Sequence, residues 1–318
     1  MLTWRHVADW AKHRPLVLRL ADQLGRGRGR LRLLDALAAP PPLPGGQKVD
    51  LTGWPERAAS AVWIGHATVL IRIGGLTLLT DPVFSNRIGL GLGLATAGPR
   101  RHIAPAVSLR QLPPIDLILV SHAHYDHLDR PTLARLNRRT PVVTSEHNGD
   151  LIRDLGYRRV HELRLSRQPD HLTGDSVRHG DLTVTARRVP HWAPRTFHDT
   201  HRGYCAFLLE AAGKRILFGG DSAAGSHFDD LCGVDLAILG IGGYDPFAAA
   251  HATPEEAWGM ATRMRAKAIL PMHHGTFRIS REPLTEPARR LQAVAATQAA
   301  CAGVPKIVGF EVGACWQP

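Results

Sequence analysis

At 318 residues with 44% hydrophobic content and 31 glycines, the chain carries enough apolar material for a sizeable core, which excludes a disordered or fibrous protein. Four scattered cysteines, Cys205, Cys232, Cys301 and Cys315, form no C-x-x-C pair, which argues against a disulfide framework and for a reducing compartment. The formal charge of +11 points either to an anionic partner (nucleic acid, a phospholipid surface or a phosphorylated substrate) or to an arginine-rich composition inherited from the genome.

Residues 1–48 read as a basic helical arm followed by a Pro-rich linker, "APPPLPGG". Up to position 38 the arm has eight Lys/Arg against three Asp, and "GRGRGR" (Gly25–Arg30) interrupts its leucines. Such an arm either lies on an anionic membrane face or packs on the body. The start breaks every apolar run with charge, unlike a signal peptide, and no stretch reaches the length of a membrane span. The expectation is a soluble, cytoplasmic protein, with peripheral contact at the inner membrane face as the role open to the arm.

A single domain is expected over 49–318. "AVWIGHATVLIRIGGLTLLTDP" predicts two strands around a Gly74-Gly75 turn, and "IDLILV" (Ile115–Val120) predicts a buried strand. "GLGLGLA" (Gly89–Ala95) is too repetitive for a dinucleotide loop and suits a lid or an apolar lip. The strand series continues with "TPVVTS", "LTVTARRVP", "CAFLLEAAGKRILFGG", "VDLAILG" and "AKAILPM". Helical patterns fall between them: "RPTLARLN", "NGDLIRDLG" and "TPEEAWGMATRMRA". The last opens on Thr253 as N-cap, with Pro254 at the first helical position and Glu256 closing a capping box. Strands alternating with helices suggest a two-sheet core covered by helices.

The decisive stretch is "SHAHYDHLD", Ser121–Asp129, directly after the buried strand. A loop there lets His122 and His124 clamp one cation while Asp126 and His127 turn toward a second. Imidazole and carboxylate ligands without cysteine suit zinc, with iron or manganese as alternatives, and exclude a closed structural zinc finger. Tyr125 and Leu128 are expected to pack, and Asp129 to cap the next helix. One cluster cannot saturate two ions. Three further strand ends supply candidates: His191 in "VPHW", Asp221 in "ILFGGDS", and His273 with His274 in "AILPMHHGTF". Together they specify a binuclear site.

At this point the chain resembles the metallo-β-lactamase-fold hydrolase superfamily over about residues 50–280. "WIGHATVLIRIGG", "TDPVFSNR", "SHAHYDHLD", "VPHWAPRT", "GGDS", "IGGYDP" and "MHHGTF" are similar to the branch of N-acyl-phosphatidylethanolamine-hydrolysing phospholipase D. The ascorbate-6-phosphate lactonases are related and match less well. The resemblance implies an α/β four-layer αββα sandwich holding two zinc ions. It would place His122, His124 and His191 on one ion, Asp126, His127 and His273 on the other, and Asp221 between them. The family has His-Trp-Gly-Thr where this chain has "HHGT", so His273 matches the ligand and His274 stands in place of the Trp. Asp81 matches an aspartate that orients a ligand histidine. His66 falls near the cleft in the family, and a hydrogen-bonded core histidine is the alternative. His251 matches a position close to the reacting phosphate, where it could protonate a leaving oxygen.

The activity implied is that of a phosphodiesterase of the phospholipase D type, with Asp126 and His251 as catalytic groups and a hydroxide shared by the two ions as nucleophile. A lactone, acyl or β-lactam hydrolase is the alternative, acting on a small-molecule rather than a phospholipid substrate. Flavodiiron chemistry is disfavoured because that group has Glu where His124 stands. "GDSAA" lacks the closing glycine of a serine-nucleophile elbow. Nucleic acid is disfavoured as a partner, because no binding motif accompanies the charge and aromatics are only 6%. The remaining histidines, His102, His147, His161, His171, His179, His198, His201 and His227, are expected on the surface or in loops.

Overall fold

A computed structural model describes residues 43–318, apart from positions 55–56, 93–94, 169–170, 197 and 300. The helical arm expected before residue 43 lies outside the described residues. The chain divides into two units, of which residues 43–88 and 99–318 form the larger. Its first sheet contains β1 (Ala59–Gly65), β2 (Thr68–Ile73), β3 (Leu76–Thr80), β6 (Leu117–Val120), β7 (Val142–Ser145), β8 (Val160–Leu163) and β16 (Cys315–Trp316), in the order β16-β1-β2-β3-β6-β7-β8. The second contains β9 (Thr173–His179), β10 (Leu182–Arg187), β11 (Ala206–Ala211), β12 (Lys214–Phe218), β13 (Leu236–Gly240), β14 (Ala268–Met272) and β15 (Lys306–Ile307), in the order β15-β14-β13-β12-β11-β10-β9.

The sheets meet face to face. Trp63, Ile71, Leu78 and Leu119 of the first share one buried cluster with Val184, Phe207, Phe218, Ile238 and Leu270 of the second. β6 and β14 are buried along their whole length, which is why they read as unbroken apolar runs rather than alternating ones. Outside the second sheet lie α3 (Pro254–Arg263) and α4 (Glu286–Thr297), whose Ala257, Trp258, Met260 and Leu291 join Leu217, Ala237 and Ile269. Outside the first sheet, α1 (Arg130–Leu133) and α2 (Gly149–Arg153) set Leu133 and Ile152 on Ile118, Val120 and Val142. The result is the four-layer αββα sandwich. Thr253 caps α3 with the full capping box to Glu256, as its sequence requires.

Three local expectations change. "AVWIGHATVLIRIGGLTLLT" forms three strands, not two, because a turn at His66-Ala67 divides β1 from β2 in addition to the Gly74-Gly75 hairpin. Val69 N–H bonds Thr80 Oγ1, and Thr80 Oγ1 donates to Ala67 O, so the first turn is held from β3. Asp129 occupies the N-cap position of α1 without capping it. Its carboxylate instead accepts from Ser85 Oγ at 2.6 Å and Thr132 Oγ1 at 2.5 Å. Residues 44 and 47, read as linker, bond the body through Ala104 N→Pro44 O and Gln47 N→Val312 O. In the smaller unit, β4 (Leu90–Leu92) and β5 (Ala95–Ala97) form an antiparallel ribbon in the stretch read as a lid or lip, with Leu90 exposed.

Candidate metal centre

Sheet topology decides which residues can meet. β1 is antiparallel to β2 and β2 to β3, so β1 runs parallel to β3, which is itself parallel to β6. The C-terminal ends of β1, β3 and β6 therefore share one edge, and they deliver His66, Asp81 and the His122–His127 loop. By the same logic β10 runs parallel to β12, and β12, β13 and β14 are mutually parallel. Their C-terminal ends deliver His191, Asp221, Gly242 and His273. Three of these residues, His66 (φ 53°), Asp81 (φ 32°) and His273 (φ 61°), adopt left-handed backbone that non-glycine residues seldom take. Such strain persists where the surroundings over-determine it, as at binding sites.

Ligand-type atoms converge in four overlapping groups, each within 4.8 Å: the two of four residues are His122, His124, His191 and Asp221, and His66, Asp126, His127 and His273, and the two of three are Asp81, His122 and His127, and Asp221, His251 and His273. Asp221 lies between the two larger groups. Its oxygens are 3.8 Å from His122 Nε2, 3.7 Å from His191 Nε2, 3.1 Å from His127 Nε2 and 3.3 Å from His273 Nε2. Asp126 Oδ2 is 3.3 Å from His273 Nε2 and 3.7 Å from His127 Nε2.

Hydrogen bonding on the far side of each ring fixes where the lone pairs point. His122 Nδ1–H has Ser121 Oγ as acceptor at 2.9 Å, since that hydroxyl gives its own proton to Asp81 at 2.6 Å. His127 Nδ1–H donates to Asp81 Oδ2 at 2.6 Å and His191 Nδ1–H to Ala250 O at 2.9 Å, while His273 Nδ1 faces Gly242 O at 3.4 Å. As neutral rings, all four present a bare Nε2 to the same space as two carboxylates. The Nε2 atoms of His127 and His273 face each other at 3.1 Å, while His122 Nε2 lies 2.9 Å from His124 Nδ1, within hydrogen-bond reach, which leaves His124 Nε2 as that ring's bare nitrogen. His191 Nε2, His124 Nε2 and Asp221 Oδ1 are buried without hydrogen-bond partners. Lone pairs directed at one another in a dry site are repulsive, and a divalent cation is the species that satisfies them together. The donor set fits metal ions.

Electrostatics express the same demand for positive charge. Burial raises the Asp126 and Asp221 carboxyls, but His127 and the other imidazoles overcome it and hold both well below the usual carboxylate range. Burial lowers His127 and His273, yet the Asp221 charge, with Asp126 beside it, pushes His127 well up and His273 to about 9. Protons on these two rings stand where cations would otherwise sit. Burial depresses His122, His191 and His251, and takes His66 and His124 to about 3, so these five are neutral.

The surrounding residues have distinct places. Asp81 accepts from Ser121 N, Ser121 Oγ and His127 Nδ1, the orienting arrangement expected of it. His66 Nε2 is 2.9 Å from Asp126 Oδ2, so His66 lies at the site rather than in an unrelated part of the core. His273 enters the cluster, whereas His274 packs on Trp63 at 4.8 Å between ring centroids. His251 stacks on His273 with centroids 5.3 Å apart and its Nδ1 3.8 Å from Asp221. Leu128 is buried, and Tyr125 lies under the Arg195 guanidinium. His227, expected on the surface or in a loop, lies in a turn and is buried there, its Nε2 2.9 Å from Ser222 Oγ. Sequence reasoning passed over Glu282, whose carboxylate accepts from Gly243 N and Asp245 N and so fixes the glycine loop against His273 and His251. No motif marks it, since it lies far along the chain in an irregular segment.

Residues 77–274 match the family model described as "Beta-lactamase superfamily domain". The chain belongs to this superfamily. An uncharacterized protein of Mycobacterium tuberculosis is 34% identical over 253 residues, covering 76% of this chain and 66% of the relative. N-acyl-phosphatidylethanolamine-hydrolyzing phospholipase D 1 of Caenorhabditis elegans is 29% identical over 241 residues, covering 70% of this chain and 65% of the relative. The chain thus spans just under two thirds of these relatives' own length. Among solved structures, a metallo hydrolase of Ignicoccus hospitalis superposes with TM-score 0.57 at 17% identity, over 82% of this chain and 99% of that one, which speaks to fold alone. These superfamily likenesses bear out the metallo-β-lactamase fold and the phospholipase D-like branch, and support a hydrolase. Among the described residues no helix is long and apolar enough to cross a membrane.

Proposed function

We propose that the protein is a binuclear zinc hydrolase of phosphodiesters, of the N-acyl-phosphatidylethanolamine-hydrolysing phospholipase D type. The observation that carries this reading is Asp221 set between two groups of converging lone pairs, one from His122, His124 and His191 and one from Asp126, His127 and His273. The likeness to the nematode phospholipase D favours a phosphodiester over a lactone or β-lactam. When bound, divalent ions at these groups would make a hydroxide nucleophile accessible near neutral pH and neutralise charge developing on the substrate.

The chain's own residues then have separate tasks. Asp81 keeps the proton of His127 on Nδ1, and Ser121 and the Ala250 carbonyl do the same for His122 and His191, so each ring offers its Nε2 inward. His251, neutral and with Nδ1 3.8 Å from Asp221, lies beside the proposed centre, where its ring N–H can donate a hydrogen bond to the leaving oxygen. Gly243 leaves room for that ring, since a Cβ there would lie 2.9 Å from His251 Nδ1.

Metal analysis together with turnover of bis(p-nitrophenyl) phosphate, N-acyl-phosphatidylethanolamine, lactones and β-lactams tests the proposal. Two equivalents of zinc and diester hydrolysis abolished by chelation are expected. A fully metallated protein that turns over no phosphodiester overturns the substrate assignment, and a single equivalent overturns the binuclear one.

A further inference from the structure

Arg195 stands four residues beyond His191 and has no assigned role. Its Nη1 donates to Ala123 O and to Leu128 O, both at 2.8 Å. Those carbonyls bracket the stretch holding His124, Asp126 and His127, and Ala123 itself separates His122 from His124. No backbone N–H among the described residues bonds either carbonyl. The guanidinium also lies 3.9 Å over the Tyr125 ring, and no carboxylate ion pair to it is found among the described residues.

The loop's other ties run mainly through its side chains and its first residue: His66 meets Asp126, Asp81 meets His127, and Ser145 Oγ bonds Ser121 O. Within it, His127 N and Leu128 N both bond His124 O, which forms the turn at its middle, and Asp81 holds Ser121 at its start. Asp81 spans the loop as well, accepting from Ser121 at its start and from His127 Nδ1 near its end, so Arg195 is the tie made to the Ala123 and Leu128 carbonyls. A cation donating to two carbonyls gives charge-assisted hydrogen bonds, stronger than neutral ones. Because Arg195 and His191 share one short segment, the clasp also fixes His191 relative to His122 and His124. Those three rings come from the two different sheets and must meet within a few ångströms to hold one ion.

We propose that Arg195 is a positioning residue for the metal centre: a cationic clasp that closes the His122–His127 loop and sets it in register with His191. This rests on the reading of the site as a metal centre. Groups that orient metal ligands contribute about 10–100-fold in affinity when removed. Arg195→Ala should therefore weaken zinc binding about 10–100-fold, with the larger loss at the ion held by His122, His124 and His191. Arg195→Met keeps the aliphatic stem against Tyr125 and loses both hydrogen bonds, so it should weaken binding nearly as much. Arg195→Lys should retain more, because one nitrogen makes both bonds and an ammonium can imitate it.

The experiment is zinc titration of the full chain against a chromophoric chelator, for wild type and the three variants, with circular dichroism of each metal-free form. Millimolar guanidinium ion added to Arg195→Ala supplies a readout that loss of packing would not move: zinc affinity should recover in part, and an equal concentration of sodium chloride should not restore it. Wild-type zinc affinity in Arg195→Met overturns the proposal. Weakened affinity in Arg195→Ala with no guanidinium rescue, and none retained by Arg195→Lys, overturns the clasp in favour of simple packing. Failure of the wild type to bind zinc is a separate result, and it refutes the metal-centre reading itself.

Discussion

Asp81→Asn isolates the tautomer control of the site. Asp81 is fully buried, and its two oxygens receive three donors: Ser121 N at 2.7 Å, Ser121 Oγ at 2.6 Å and His127 Nδ1 at 2.6 Å. Asparagine keeps the shape but has one acceptor oxygen and an N–H₂ group. With the oxygen on Ser121 N, the amide faces the hydroxyl, which can rotate to accept, and His127 Nδ1–H, which cannot. The least costly escape is for His127, an imidazolium in the metal-free fold, to give up its Nδ1 proton and keep the one on Nε2. There it points at His273 Nε2, 3.1 Å away, and at Asp221, the space a cation would need. The metal-free fold should therefore lose only about 1–3 kcal/mol, the cost of one poorly satisfied buried donor. Metal affinity should fall about 10–100-fold, or ~1.4–2.8 kcal/mol. Denaturant unfolding with and without zinc separates the two quantities, and imidazole nitrogen chemical shifts report the tautomer. Wild-type zinc affinity in a folded Asp81→Asn would refute the reasoning, as would a His127 that keeps its proton on Nδ1.

The pH dependence should have opposite signs with and without metal. In the metal-free fold His273 is raised from 6.5 to about 9, so its contribution to stability is complete below pH 6.5 and lost as pH rises through about 9. Metal must displace that proton, so zinc affinity should rise from pH 6.5 to about 9, by up to ~tenfold per unit for each proton released. Calorimetric titration in buffers of different ionisation enthalpy counts the protons, and a pH-independent affinity contradicts the assignment of His273. Gly243→Ala places a Cβ against His251 at a backbone of φ 89°, so turnover should drop at least about tenfold with metal content unchanged. Atomic absorption and steady-state rates on one preparation check this, and full activity would remove His251 from the reacting centre. Thr253→Ala removes the cap of α3 and should cost about 1 kcal/mol in denaturant unfolding. An unchanged midpoint would mean that the cap is dispensable in this packing.

The sequence by itself determined the chemistry-bearing residues and the elements that carry them. His191 follows β10, which pairs antiparallel on both sides and alternates in burial. By contrast, His122 to His127 and His273 follow strands buried along their whole length, and Asp221 follows the buried end of β12, runs readable as apolar stretches that stop at polar ligands. The capping box of α3 was legible for the same local reason. What only the tertiary structure decided is whatever depends on approach between distant segments. Which of His273 and His274 enters the cluster follows from the left-handed backbone at His273, which turns one ring inward and leaves the next on Trp63. Asp129 looked like a cap, but Ser85, 44 positions earlier, claims its carboxylate. Arg195 and Glu282 carry no motif at all, because their task is to bond backbone atoms, and a backbone atom leaves no trace in residue identity. Spacing along the chain marks ligands; the parallel order of the strands in each sheet is what brings them to one edge.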